Sequence, residues 1–339
     1  KNANANAKLV LPRAMTNTAS SRPMASAESC LIITGMHRSG TSLTAAFLKA
    51  AGVWLGDDLI GSAVGNPNGH YEHRAFVELQ DQILKGAGID PLGCPTRRTL
   101  DFSAEQTQKA RSLVNRLASR NQPFGWKDPR TTYFLNAWHQ CLPTARYLFV
   151  YRRPEEVVDS LFRRGSDLAL LHHPEWAIGL WQTYNQKLID FARAHPSQCL
   201  FVHALTAATE PSKLLDAINE RWGWGLCLPQ KACFDPTQFQ TRRVDQQDWM
   251  QIQTNHPEAQ SLYAELQDWA DHLGRPEPAD QNYTETRLDQ NTTSTPLGSY
   301  EDWLIKRQPQ LAESKPVLPN DQVTERALVQ GCFDRPMGK

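Results

Sequence analysis

The chain lacks several features that would classify it quickly. It has no long apolar run. Its best stretch, Tyr147-Leu-Phe-Val-Tyr151, has only the length of a strand, and the mean hydropathy is -0.53, so no spanning helix is expected. It has no charge imbalance, since 36 Lys+Arg offset 36 Asp+Glu over 339 residues. An overall basic field suited to nucleic acid is therefore absent, and any anion site has to be local. It has no cysteine pair at CxxC spacing. The seven cysteines (Cys30, Cys94, Cys141, Cys199, Cys227, Cys233 and Cys332) are odd in number. That pattern favours free thiols in a reducing compartment over a disulfide framework or a zinc site. The first 29 residues are rich in Asn, Ala and Ser and lack the apolar core of a secretory signal.

Hydrophobic residues make up 40% of the chain, enough to bury a substantial core. Leu31-Ile-Ile-Thr34 is apolar and β-branched and reads as a short buried strand. A helix is expected over Ser42 to Ala51, ended by Gly52. Further helices are predicted over Tyr71 to Leu84 and over Ser103 to Ser119, the latter capped by Ser103 with Gln106 three residues on. Next come a strand at Phe124 to Lys127, a helix at Thr132 to Cys141 and a strand at Arg146 to Tyr151. Pro154 starts a helix to about Arg164, Trp176 to His195 is a longer one, Cys199 to His203 a strand, and Pro211 to Arg221 and Pro257 to Leu273 are helical. This alternation predicts an α/β fold with a mostly parallel central sheet flanked by helices. The expected organisation is a tail over residues 1–29, one domain over 30–275 and a partly irregular extension over 276–339.

The strongest local feature is a strand, then Gly35-Met-His-Arg-Ser-Gly40, then a helix. Such a turn points backbone N–H groups and the positive end of a helix at one spot, which suits a phosphate. An ATP-binding loop needs Lys directly after the second Gly to reach the β- and γ-phosphates. Here Thr41 stands in that place, and the nearest cation is Arg38. An ATPase is therefore disfavoured, whereas a nucleotide with a phosphosulfate tail requires neither a metal nor a γ-phosphate clamp.

A second anion site is expected at the end of the strand Arg146 to Tyr151, where Arg152 and Arg153 meet the edge at which open α/β sheets bind ligands. Ser160 follows eight residues after Arg152, and the two can converge on one phosphate.

Together these segments resemble the sulfotransferases that use 3′-phosphoadenosine 5′-phosphosulfate (PAPS). Gly35-Met-His-Arg-Ser-Gly-Thr-Ser-Leu43 is similar to their 5′-phosphosulfate loop, and Tyr151-Arg-Arg-Pro-Glu-Glu-Val-Val-Asp-Ser160 to their 3′-phosphate motif. Gly125-Trp-Lys-Asp-Pro-Arg130 resembles the Lys-Asp-Pro element of tyrosylprotein sulfotransferases and many bacterial members. The resemblance spans about Leu31 to Gly225 and implies a P-loop-like sulfotransferase fold. It implies that His37, Arg38, Ser39, Gly40, Thr41 and Ser42 hold the 5′-phosphosulfate, that Arg152 and Ser160 grip the 3′-phosphate, and that PAP is the product. The Gly-rich segment that caps the nucleotide in cytosolic members has no counterpart here; Arg242 and Arg243 serve instead or form a solvated turn.

Sulfuryl transfer needs a cation at the leaving oxygen and a base for the acceptor hydroxyl. Arg38 and Lys127 are the candidate cations. Glu72 is the preferred base and His70 the second choice, both from Asn66-Pro-Asn-Gly-His-Tyr-Glu-His73. His172 and His173 are expected in a loop. Trp54, Trp126, Trp138, Trp176 and Trp181 either line an acceptor site or pack in the core. The expectation is a cytoplasmic, bacterial enzyme that needs no metal and acts on a glycan or small-molecule alcohol, with no nucleic-acid partner. A P-loop kinase or NTPase and a non-catalytic PAPS- or PAP-binding protein are the alternatives.

Overall fold

The computed structural model describes residues 29–62, 69–94, 96, 98–118, 122–164, 167–230 and 254–273. Four strands, β1 (Cys30–Thr34), β2 (Phe124–Lys127), β3 (Arg146–Tyr151) and β4 (Cys199–His203), form one sheet in the order β2-β1-β3-β4. Every pairing is parallel, with Ile33 opposite Lys127, Thr34 opposite Phe149, and Tyr151 opposite His203. All four strands therefore end at one edge. From β1 the next strand lies on one side and β3 on the other, so the strand order reverses between β1 and β3. That is the place where such sheets take ligands.

The strands are mostly apolar, with Thr34, Lys127, Arg146 and His203 at their ends, as suits a sheet covered on both faces. Ile32, Trp126, Tyr147, Phe149 and Phe201 face one core, while Leu31, Ile33, Leu148, Val150, Leu200 and Val202 face the other. On the first face α2 (Arg74–Gly86) places Phe76 against Trp126 and Trp138, with ring centroids 4.4 and 5.5 Å away. The predicted cap of α3 (Ala104–Leu117) is present as a full capping box between Ser103 and Gln106. α5 (Pro154–Arg164) and α7 (Trp176–Ala194) also contribute to this core, as does α10 (Pro257–Trp269). The opposite face is covered by α1 (Thr41–Ala50), α8 (Ala204–Thr209) and α9 (Pro211–Trp222).

Several expectations need correction. The helix expected from Tyr71 starts at Arg74, because Leu59 pairs with His73 in an antiparallel bridge and the Ile60 N–H bonds to the Glu72 carbonyl at 2.7 Å. These contacts keep Glu72 outside the helix. The helix expected from Thr132 is a 3-10 turn over Pro129–Phe134, continued by α4 (Leu135–Cys141). Asp128 caps that turn tightly, with its Oδ1 accepting from the Arg130 N–H at 2.9 Å. His172 lies in a short helix, α6 (Leu168–His172), with His173 just beyond it. Of the five tryptophans weighed for an acceptor site, Trp126, Trp138 and Trp181 are fully buried, and Trp54 and Trp176 pack against the same core. The described cysteines are all free, and Cys227 alone among them is exposed. Arg242, Arg243, Cys233, Cys332, the tail up to residue 28 and the extension lie outside the described residues.

Candidate active site

The loop after β1 is shaped by three positive φ angles, at Gly35 (153°), Arg38 (68°) and Gly40 (87°). Gly35 has no room for a side chain, since a Cβ there would sit 2.1 Å from the Val150 carbonyl oxygen of β3. The Ser39 N–H closes a turn on the Met36 carbonyl at 3.1 Å. Gly40 then caps α1 with no side-chain hydrogen bond, and Thr44 is the residue whose N–H returns to the Gly40 carbonyl, at 3.1 Å. The helix-opening amides before Thr44 have no intrahelical acceptor. The Ser39 Oγ is buried with no hydrogen-bond partner among the described residues, and so is the His37 Nε2. A buried hydroxyl left without a partner beside uncapped amides fits an anionic oxygen.

Across the gap between β1 and β3, the Arg38 Nε donates to the Ser160 Oγ at 2.9 Å. The Arg152 Nη1 reaches the Arg38 carbonyl at 3.5 Å, and its Nε donates to Glu156 at 2.9 Å. The sheet edge thus brings Arg38, Arg152 and Ser160 together, although they are 8 to 122 residues apart in sequence. Burial and the neighbouring Arg164, Arg163 and Arg152 lower the Arg38 guanidinium to about 10, so it remains cationic at neutral pH. Arg163 and Arg164 end α5, on the same helix as Ser160. Their place beside Arg38 has no local sequence signal other than the basic last turn of that helix.

A second cluster adjoins the loop at the end of β2. The Lys127 Nζ donates both to the Ser42 Oγ at 3.1 Å and to Glu72 Oε1 at 2.7 Å. Glu72 Oε2 accepts from the Arg130 Nη2 at 2.9 Å. Lys127 is 1% exposed and Glu72 6%. Glu72 gets there through Tyr71, a non-glycine residue at φ 57°, whose turn carries the chain inward after Gly69. Burial pushes the Glu72 carboxyl up, but Lys127 and Arg130 outweigh it and hold it at about 2. Burial lowers His37 to about 3 and lowers the half-buried His70 as well, so both imidazoles are neutral at pH 7. The backbone N–H of His70 bonds to the Ile60 carbonyl at 3.2 Å.

Arg130 was not singled out as a site residue from the sequence, although it ends the Lys-Asp-Pro-Arg segment. Its Nε donates to Asp128 Oδ1 at 2.9 Å and its Nη1 to Asp81 at 3.2 Å. Asp128, fully buried, also accepts from the Gln80 Nε2 at 2.7 Å. Burial pushes its carboxyl up to about 6 against the pull of Arg130, which leaves it ionised at neutral pH. Among the described residues no group of His, Cys, Asp and Glu could hold a metal ion, and no helix is long and apolar enough to cross a membrane.

A family model described as "Sulfotransferase family" matches residues 31–224, more than half of the chain. The chain belongs to the sulfotransferase family. Among solved structures it is similar to the sulfotransferase domain of the olefin synthase of Synechococcus PCC 7002, with 15% identity, 85% of this chain and 95% of that chain covered, and a TM-score of 0.38. It is also similar to the sulfotransferase STF9 of Mycobacterium avium, with 14% identity, 72% and 77% covered, and a TM-score of 0.47. A third is the sulfotransferase domain of the curacin biosynthetic pathway, with 14% identity, 70% and 96% covered, and a TM-score of 0.42. None of the curated proteins compared with the chain matches it.

Proposed function

We propose that the chain transfers the sulfuryl group of PAPS to an acceptor hydroxyl, releasing PAP and a sulfate ester. The observation that carries this reading is the hydrogen-bonded chain from Ser42 on the phosphate loop through Lys127 to Glu72. It sets a cation and a carboxylate directly beside the place where an anionic tail would lie. The bound donor supplies an activated S–O bond; the remaining work falls to the protein.

The loop from His37 to Ser42 cradles the 5′-phosphosulfate with its amides and with the hydroxyls of Ser39, Thr41 and Ser42. Arg152 and Ser160 take the 3′-phosphate, which distinguishes PAPS from ADP-like nucleotides. Arg242 and Arg243 are proposed to cover the nucleotide from the segment beyond α9. Arg38 and Lys127 stabilise the charge that develops on the oxygen leaving with the 5′-phosphate. Glu72 takes the proton of the acceptor hydroxyl as the new O–S bond forms and the old one breaks, and the electron pair of the old bond leaves with PAP. His70, neutral at pH 7 and on the same segment, is the second candidate for that proton. The acceptor class that fits the family is a glycan or small-molecule alcohol.

The reading predicts that PAP binds more tightly than ADP, without added metal, in isothermal titration calorimetry. Mg²⁺-dependent ATP hydrolysis above background, with no preference for PAP, would replace it with an NTPase.

A further inference from the structure

Glu72 is held by two cations, and they differ in what else they touch. Lys127 is the one that also reaches the phosphate loop, through Ser42. The hydrogen bonds of Arg130 go elsewhere. Its guanidinium is spent on Glu72 Oε2, Asp128 Oδ1 and Asp81 Oδ1 at 2.9 to 3.2 Å, and its own backbone N–H is fixed by Asp128. Asp128 is fixed in turn by Gln80, whose Oε1 accepts from the Thr131 hydroxyl at 2.9 Å and the Trp138 Nε1 at 3.1 Å. Gln80 and Asp128 are both fully buried. A planar fork locked this way on a rigid aromatic core has one orientation, which a lysine could not reproduce.

We infer that Arg130 is a positioning residue for the transfer: it anchors the Glu72 carboxylate through its second oxygen, so that the base stays in place when Lys127 turns from Glu72 to the donor. This inference rests on the proposed role of Glu72 as base. It divides two tasks between the ends of one Lys-Asp-Pro-Arg segment. Lys127 serves the leaving oxygen, and Arg130 holds the base. Loss of the Lys127 contact on donor binding removes one of the two cations that depress Glu72 and makes it a stronger base at the moment it is needed.

The groups facing Glu72 are Lys127 from β2, Arg130 and Asp128 from the turn after β2, His37 from the phosphate loop and His70 from its own segment. Taking away Arg130 leaves burial less opposed, so Glu72 holds its proton to higher pH and the acid side of the activity profile moves up. The value of about 2 puts the first units of that movement below any assay pH; with Lys127 on the donor and Arg130 removed, burial stands unopposed, and each unit by which the carboxyl then exceeds the assay pH removes about tenfold of the ionised base.

The test compares wild type, Arg130→Met and Arg130→Lys. Transfer of ³⁵S from PAPS to host extract is followed at pH 5.5 and 7.5, and PAP binding is followed by calorimetry as a measure of the intact fold. The expected result is PAP affinity within about threefold of wild type, with a pH 5.5 to 7.5 activity ratio at least about tenfold lower in Arg130→Met. Arg130→Lys, which keeps the charge but not the fork, should fall between the two. If Arg130→Met fails to bind PAP, the ratio in Arg130→Lys against wild type decides. An activity loss of equal size at both pH values, in either variant, overturns the positioning role. Absence of transfer by wild type that still binds PAP overturns instead the functional reading beneath it.

Discussion

Glu72→Gln is the substitution whose consequences the structure fixes most tightly. The carboxylate is 6% exposed and paired with Lys127 and Arg130 at 2.7 and 2.9 Å. Its proton affinity is held from the usual 4.5 down to about 2, which at ~1.4 kcal/mol per pKa unit amounts to roughly 3 kcal/mol favouring the charged form. Gln keeps the shape but turns an N–H₂ towards one of the two cations, leaving buried positive charge uncompensated. A loss of about 2–4 kcal/mol is expected, read as a fall in Tm of roughly 5–12 °C for a domain of this size. The sign of the pH dependence follows from the depressed carboxyl. Its stabilisation is fully present above about 4.5 and is lost as pH falls toward 2, so the deficit of the variant is constant from pH 7 to 5 and narrows below. In the same variant ³⁵S transfer from PAPS falls about 10²- to 10⁴-fold, as for loss of a general base, while PAP still binds. A variant as stable as wild type at pH 7, or one that transfers at more than a tenth of the wild-type rate, would refute this account of Glu72.

Arg152→Ala should weaken PAP about ten- to a hundredfold and leave adenosine 5′-phosphosulfate, which lacks the 3′-phosphate, nearly unaffected in calorimetry. Gly35→Ala places a Cβ 2.1 Å from the Val150 carbonyl oxygen, so the loop or β3 must shift; a loss of about 1–3 kcal/mol by thermal melting and a marked drop in PAP affinity are expected. Trp138→Ala opens a hole beside Phe76 and Trp126 and removes one of the two donors to the Gln80 Oε1, which should cost about 3–5 kcal/mol in urea denaturation. Burial raises the thiols of Cys30, Cys94 and Cys199, so in mass-spectrometric mapping of the native protein iodoacetamide should label Cys227 while sparing those three.

Much of the frame was legible because its signals are local. Short apolar strands, the Ser103–Gln106 capping box and proline at the start of α5 and α9 each announce themselves within a few residues. The loop between Gly35 and Gly40 and the Arg152-to-Ser160 spacing were legible for the same reason, and the strand order β2-β1-β3-β4 then sets them side by side. What the sequence hid depends on long-range pairing or unusual backbone. Glu72 reads as part of a helix, yet the bridge between Leu59 and His73 and the positive φ of Tyr71 hold it before the helix begins. α8 opens on a histidine cap, His203, which is not among the usual helix-starting residues. The surroundings of Arg130 come from Glu72, Asp81 and Gln80, 48 to 58 positions away from it or from Asp128, and no spacing rule connects them.

Transfer of a sulfuryl group from PAPS can be followed with a labelled donor. Wild type and Glu72→Gln are each incubated with ³⁵S-labelled PAPS and host extract, in EDTA, and the labelled products are separated and identified. The account predicts a labelled sulfate ester and an equal amount of PAP with wild type, and neither above background with the variant. Equal labelling by both proteins, or no labelling by a wild type that binds PAP, would contradict it.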